Sequence, residues 1–230
     1  MPCLTTSALS ISKCLDEFIA ENRKGDKRNY IGASSIGNPC ERAIWYDYKG
    51  FPKSYSAKLC RTFEIGHALE DMILNMLVEA GITITVPYGA KEKYHPPYFD
   101  GHCDAIVVHD DGSRSILELK TANNSSFQTF KNKGLRQWNN RYYLQVQSYM
   151  GLYDIKRAVV LAINKDTSDL HEEWVEYCPV TYDAILVTAT LIHERQDPPA
   201  RISESPMNYI CKSCQFYKEC FKQESLDNSL

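Results

Sequence analysis

No stretch of the 230-residue chain is both long and apolar enough to cross a bilayer as a helix, so a helical membrane-spanning role is excluded. The opening residues MPCLTTSALSISKCLDEF have no basic leader and no sustained apolar core before Lys13 and Asp16, so a cytoplasmic protein with no membrane partner is expected. Positive charge is not in excess either. With 26 Lys and Arg against 29 Asp and Glu, the net charge of -3 and pI of 6.1 argue against coating nucleic acid through bulk charge. A local basic groove stays open. There is no internal repeat and no low-complexity tract, which leaves an ordinary globular fold. A disulfide framework is disfavoured as well, because the nine cysteines are odd in number and include Cys211-x2-Cys214, a spacing that suits metal ligation.

Hydrophobic content of 43% and charged content of 24% are those of a globular protein long enough to bury a sizeable core. The chain reads as a single domain, 1–230: an N-terminal helical part carrying Cys40 (1–57), a core (58–180), and a C-terminal helix with a cysteine knuckle (181–230). Apolar spacing predicts helices over 7–23, 40–46, 58–80, 142–153 and 181–195. In the first of these Leu9, Ile11, Leu15, Phe18 and Ile19 make the stripe; in the third, Phe63, Leu69, Met72, Ile73, Met76 and Leu77 do. Glu64, His67 and Asp71 share another side of that third helix. Lys24 to Arg28 reads as a charged linker and Glu224 to Leu230 as a tail. Alternation predicts strands over 82–86, 103–109, 115–120, 157–163 and 172–177.

The strand Ser115 to Lys120 carries the chemistry. Alternate side chains share a face, so Glu118 and Lys120 point together, about 6.6 Å apart at their bases, while Leu117 and Leu119 face the opposite layer. Asp110-Asp111-Gly112 suits a three-residue hairpin loop with glycine left-handed, which pairs residues whose numbers sum to 222 and sets Asp104 across from Glu118. Two carboxylates on one face supply oxygen ligands for Mg2+ or Mn2+, and His67 would tilt the preference toward Mn2+. Lys120 could orient or deprotonate water, its pKa depressed by the neighbouring cation. Gln145 and Tyr149, four apart on a helix, could hold phosphate or metal-bound water. Taken singly, each has a plainer reading: a cross-face ion pair, a surface histidine, packing residues. Their joint occurrence shifts the balance.

The order Gly66-His67, Gly101-His102-Cys103-Asp104, Glu118-Leu119-Lys120 and Gln145-x3-Tyr149 resembles the four motifs of PD-(D/E)XK nucleases of the RecB type. Cys40 with Cys211-x2-Cys214-x5-Cys220 resembles the iron-sulfur ligands of the AddB-like and CRISPR-associated exonuclease branch. The similarity covers roughly residues 33 to 221. It implies an α/β, restriction-endonuclease-like mixed central sheet flanked by helices, with a cysteine-cluster clip joining the N- and C-terminal parts. It also implies that His67, Asp104, Glu118 and Leu119 form the metal shell and that Lys120 is the catalytic lysine. Gln145 and Tyr149 would be the fourth motif, and Cys40, Cys211, Cys214 and Cys220 would hold a 4Fe-4S cluster. The implied activity is metal-dependent exonucleolytic cleavage of DNA, single-stranded or at ends. Cys103 stands where the family name has proline, and no helicase motif is present.

Read without the resemblance, the four thiols suit tetrahedral zinc as well as an iron-sulfur cluster, so a zinc-stabilised interaction protein stays open. So does a non-catalytic DNA-binding or assembly subunit, although such a scaffold has no need of Asp104, Glu118 and Lys120 together. Cys3, Cys14, Cys60 and Cys178 are expected to be small buried residues. The stretch from Phe127 to Tyr143 mixes Phe127, Phe130 and Trp138 with Lys131, Lys133, Arg136 and Arg141. That composition suits either stacking on bases or a solvated loop with a few core aromatics.

Overall fold

A computed structural model describes residues 10–22, 28–85 and 95–222. The N-terminal part holds α1 (Ile11–Asn22), β1 (Ile31–Gly32), α2 (Glu41–Tyr48) and α3 (Ala57–Glu79). The centre holds β2 (Ile84–Thr85), β3 (Phe99–Asp100), β4 (Ala105–Val108), β5 (Arg114–Ala122), α4 (Asn124–Lys133), α5 (Leu135–Trp138), α6 (Asn140–Tyr153), β6 (Arg157–Asn164) and β7 (Leu170–Glu176). The C-terminal part holds α7 (Pro179–Glu194), α8 (Tyr209–Lys212) and α9 (Tyr217–Cys220). Cys3, Leu9, Lys24 to Lys27, Val86 and Glu224 to Leu230 lie outside the described residues. None of the described helices is long and apolar enough to cross a membrane.

The expected α/β architecture, a mixed central sheet flanked by helices, is what forms. Five strands run in the order β2-β4-β5-β6-β7, parallel between β5 and β6 and antiparallel elsewhere. The parallel step needs a crossover, and α4 to α6 supply it. The β4–β5 hairpin keeps the expected register, with Ala105 opposite Leu117 and Val108 opposite Arg114. Its loop closes because Gly112 takes φ +79°, which a residue with a Cβ resists, and His109 N–H donates to Ser113 O at 2.9 Å.

Both faces of β5 are covered. Ile116 packs with Ala158, Val160, Phe127, Phe130, Val146 and Met150 on the side of α4 and α6. Leu117 and Leu119 pack with Ala105, Val159 and Ile73 on the side of α3. On that second side the stripe read for α3 is only partly used. Ile73 is buried, but Phe63, Met72 and Met76 are exposed, because the sheet offers this helix a narrow apolar face. Similarly, Ile19 is buried on α1 while Ile11, Leu15 and Phe18 face solvent.

Residues 124 to 141 are not an open loop. The Asn123 side chain caps α4 by accepting from Ser126 N–H at 2.9 Å. Phe127, Phe130 and Leu135 are then buried in the core. Trp138 stacks on Phe130 with ring centres 4.5 Å apart and donates to Ser126 Oγ. Rings used this way are not available to bases, so the stacking role considered for Phe127, Phe130 and Trp138 is withdrawn.

The N- and C-terminal parts meet through hydrogen bonds. Arg42 Nε donates to Pro199 O at 2.6 Å, Trp45 Nε1 to Arg195 O at 3.1 Å, and Ser54 N–H to Gln215 O at 2.9 Å.

Candidate active site

β5 delivers Glu118 to the face toward α6, and the carboxylate is 1% exposed. Lys120, two residues on and therefore on the same face, donates from Nζ to Glu118 Oε1 and, at 3.1 Å, to the carbonyl of Leu119. The Lys120 ammonium also lies 5.0 Å from the ring centre of Tyr142, the third residue of α6. Asp104 sits one residue before β4 and accepts from Leu119 N–H through Oδ2 at 2.6 Å, which locks it beside Glu118. Gln145 and Tyr149 are both buried on α6, and Gln145 Nε2 donates to the Tyr149 hydroxyl at 2.8 Å.

Gly101 explains how Tyr149 reaches this place. A Cβ at Gly101 would lie 2.5 Å from Ala33 Cβ and 2.8 Å from the Tyr149 ring, so the β1–β3 pair can approach α6 only because that atom is missing. The Tyr153 hydroxyl donates to the Gly101 carbonyl at 3.3 Å and fixes the same approach.

α3 adds a residue that sequence reading passed over. Glu70 comes close enough to Asp104 for the two carboxyls to act on each other's ionisation. His67, one turn earlier, is exposed and lines the same cavity of about 300 Å³, with Glu70, Lys120 and Tyr142. Glu64 and Asp71 were the acidic residues read beside His67, whereas the carboxylate that enters is three positions on from it. That i, i+3 spacing was the available signal.

Burial dominates the electrostatics. It pushes Glu118 up to about 8, with Asp104 adding to the rise and Lys120 opposing it. Burial also raises Asp104, opposed by Lys120 and by the Leu119 N–H, and raises Glu70, helped by Asp104. Tyr149 lies well above its ordinary range because it is buried and faces Glu118. For Lys120 burial acts downward, but Glu118 and Asp104 outweigh it and hold the amine above its usual value. Without a cation, then, Lys120 is not depressed as expected.

Glu118 Oε2 is buried with no hydrogen-bond partner. An ionised carboxylate oxygen left so is costly, and a cation would relieve it. Asp104, Glu118 and the Leu119 carbonyl offer the hard oxygen donors that Mg2+ or Mn2+ takes, and His67 lies on the adjoining cavity wall. The donor chemistry fits. Their side chains do not already enclose a common point: among the described residues no three His, Cys, Asp or Glu side chains form a group that would grip an ion as they stand.

Cys40 precedes α2, Cys211 lies in α8, Cys214 follows it and Cys220 ends α9. All four are free thiols lining one cavity of about 550 Å³. Burial raises Cys211 and Cys214, and the charges of the other cysteines of the four raise them further. Phe216 N–H points to Cys214 Sγ at 3.4 Å, and Arg42 Nη1 lies 3.9 Å from Cys220 Sγ. Thiols are the donors that a thiophilic metal or cluster takes, and the N–H groups at Cys214 and Cys220 would support such ligands, but like the carboxylates the four sulfurs do not stand as a ready-made group. Of the other cysteines, Cys60 and Cys103 are buried, whereas Cys14 and Cys178 are only half-buried and depart from expectation. Cys178 lies at the start of α7, where hydrogen bonds with Thr181 lower its thiol pKa.

No protein-family model matches the chain, and no curated protein does. Solved structures do. The alkaline exonuclease of Laribacter hongkongensis superposes with a TM-score of 0.55 at 13% identity, over 88% of this chain and 96% of that one. Its complex with dAMP gives 0.54 at 14% identity, over 86% and 95%. A crystal structure designated SSO0001 gives 0.56 at 19% identity, over 90% and 93%. At these identities the likeness is one of fold.

Proposed function

We propose that the protein is a metal-dependent DNA exonuclease of the PD-(D/E)XK superfamily, of the RecB and AddB type. The observation that carries this reading is Glu118, a buried carboxylate with an orphaned oxygen held between Asp104 and Lys120. A fold shared with an alkaline exonuclease, one of whose structures holds a nucleotide, supports it.

Asp104, Glu118, the Leu119 carbonyl and His67 would hold Mg2+ or Mn2+, which would neutralise the scissile phosphate and acidify a bound water. Holding a cation would call for Glu118 in its ionised form, with Lys120 donating to it from the same face. Lys120, placed by Glu118 Oε1 and the Tyr142 ring, would orient the attacking water as the ammonium and, with its pKa lowered by the cation, would accept the water's proton as the free amine. Gln145 and Tyr149 fix the carboxylate face from the α6 side and offer donors to the phosphate. Cys40, Cys211, Cys214 and Cys220 would hold a 4Fe-4S cluster that would add to the hydrogen bonds joining the N- and C-terminal parts.

Single-stranded DNA or DNA ends are the proposed substrate, in recombination, repair, phage DNA processing or spacer acquisition. The test is degradation of end-labelled single- and double-stranded DNA with Mg2+ or Mn2+, comparing wild type with Glu118→Ala and Lys120→Ala. Loss of about 10²-fold or more in both variants is expected. Activity unchanged in both would overturn the reading, and DNA binding without cleavage by wild type would identify a non-catalytic subunit.

A further inference from the structure

The two cavities described above share a wall. Phe63 of α3, 46% exposed, lines both the catalytic cavity and the larger one beside the cysteines. From Phe63 the larger cavity runs past Tyr55, which meets the Phe63 ring edge-on at 5.9 Å, to Tyr209 and Tyr217 on the C-terminal side. Tyr209 is 79% exposed, an unusual position for a large ring with nothing covering it.

Arg141 stands on the wall of the same cavity. Its guanidinium has no ion-pair or hydrogen-bond partner among the described residues, although its backbone N–H is capped by Asn139. The backbone beneath it is tightly placed, since a Cβ at Gly37 would come within 2.7 Å of Arg141 Cα. A fixed base therefore carries an uncompensated cation on the wall of a cavity that also carries Tyr55, Phe63, Tyr209 and Tyr217.

We infer that this second cavity is the approach path of an unpaired DNA strand, with bases stacking on Phe63 and Tyr209 and Arg141 taking a backbone phosphate. The inference rests on the proposed nuclease reading and adds to it the place where the strand lies. Rings accept any base but only when it is unpaired, and a cation beside them tracks the phosphate that follows. Duplex has its ring faces occupied by its own stacking, so it would reach the catalytic cavity only through a frayed or overhanging end. A protein segment is the other occupant such a groove could take, and oligonucleotide binding indifferent to Tyr209 and Arg141 would point to it instead.

The test is binding of a fluorescent single-stranded oligonucleotide, a blunt duplex and a duplex with an overhang to the full protein, in EDTA so that cleavage does not intervene. Wild type should prefer the single strand and the overhang. Tyr209→Ala should weaken single-strand binding by about 5- to 140-fold, the effect of removing one stacked base. Arg141→Gln should weaken it and reduce the slope of log affinity against log salt by roughly 0.7, the loss of one phosphate contact to a single strand. Equal single-strand affinity in wild type and both variants would overturn the inference. If the variants change only the iron content of the protein, the cavity serves the cysteines alone and the inference is wrong. A wild type that binds and cleaves DNA while the variants bind normally disproves the path but not the nuclease. A wild type that neither binds nor cleaves disproves the nuclease reading itself.

Discussion

Replacing Glu118 by glutamine tests the central electrostatic claim without touching shape. In the unfolded chain a glutamate loses its proton near 4.5, and in the folded protein burial moves that loss to about 8. Between those values the unfolded chain has released a proton that the folded protein still holds. Stability from this group is therefore complete below 4.5 and falls as pH rises, until it is lost above 8. The interval of about 3.5 units, at about 1.4 kcal/mol per unit, gives roughly 5 kcal/mol as an upper bound. For a chain of this length that corresponds to a fall in Tm of about 10–20 °C. Glu118→Gln cannot titrate and should lack this component. Asp104 and Glu70, also raised, keep their own smaller slopes in both proteins. The assay is thermal unfolding in EDTA from pH 4.5 to 8.5. A steep fall for wild type and a shallow one for the variant are expected. Added Mn2+ at pH 8 should then raise the Tm of wild type, whose carboxylate it satisfies, far more than that of the variant. Parallel pH curves for the two proteins would refute the claim that Glu118 is the strained acid.

Gly101→Ala should displace Tyr149, since the new methyl would lie 2.8 Å from its ring. About 1–3 kcal/mol of stability should go, with a drop in nuclease rate larger than a distant substitution of equal stability cost produces. Gly50→Ala, just past the end of α2, is that distant substitution: its φ of +74° strains any residue with a Cβ, costing about 1–2 kcal/mol in a denaturant melt, while activity per folded molecule stays at the wild-type level. Cys214→Ser should yield protein depleted in iron with a lower Tm. Closing a loop of some 170 residues is worth about 5 kcal/mol at most, and the hydrogen bonds of Arg42, Trp45 and Ser54 to the C-terminal part reduce the dependence on it. A metal-free variant melting at the wild-type temperature would remove any structural role for a cluster.

Much of this was legible in the chain because it is set by short-range geometry. The period of two in Ser115 to Lys120 placed Glu118 and Lys120 on one face. Asp-Asp-Gly fixed the loop, and the loop fixed the register that brings Asp104 alongside Glu118. Cys40 ahead of a short helix and the close spacing of Cys211, Cys214 and Cys220 were likewise local. What the tertiary structure decided were quantities that depend on distant neighbours. Glu70 enters the site because α3 crosses the sheet at one particular rotation, which also leaves Phe63, Met72 and Met76 outside. Phe127 and Phe130 became core when α4 folded back on β6, a choice that composition alone left open. The sign of the Lys120 shift followed from two carboxylates converging in a dry interior, where burial and charge compete over a few ångströms. Sequence spacing determines which residues can share a face. How much water is left between them depends on what packs above, and that decides whether such a set is a surface ion pair or a strained site ready for a cation.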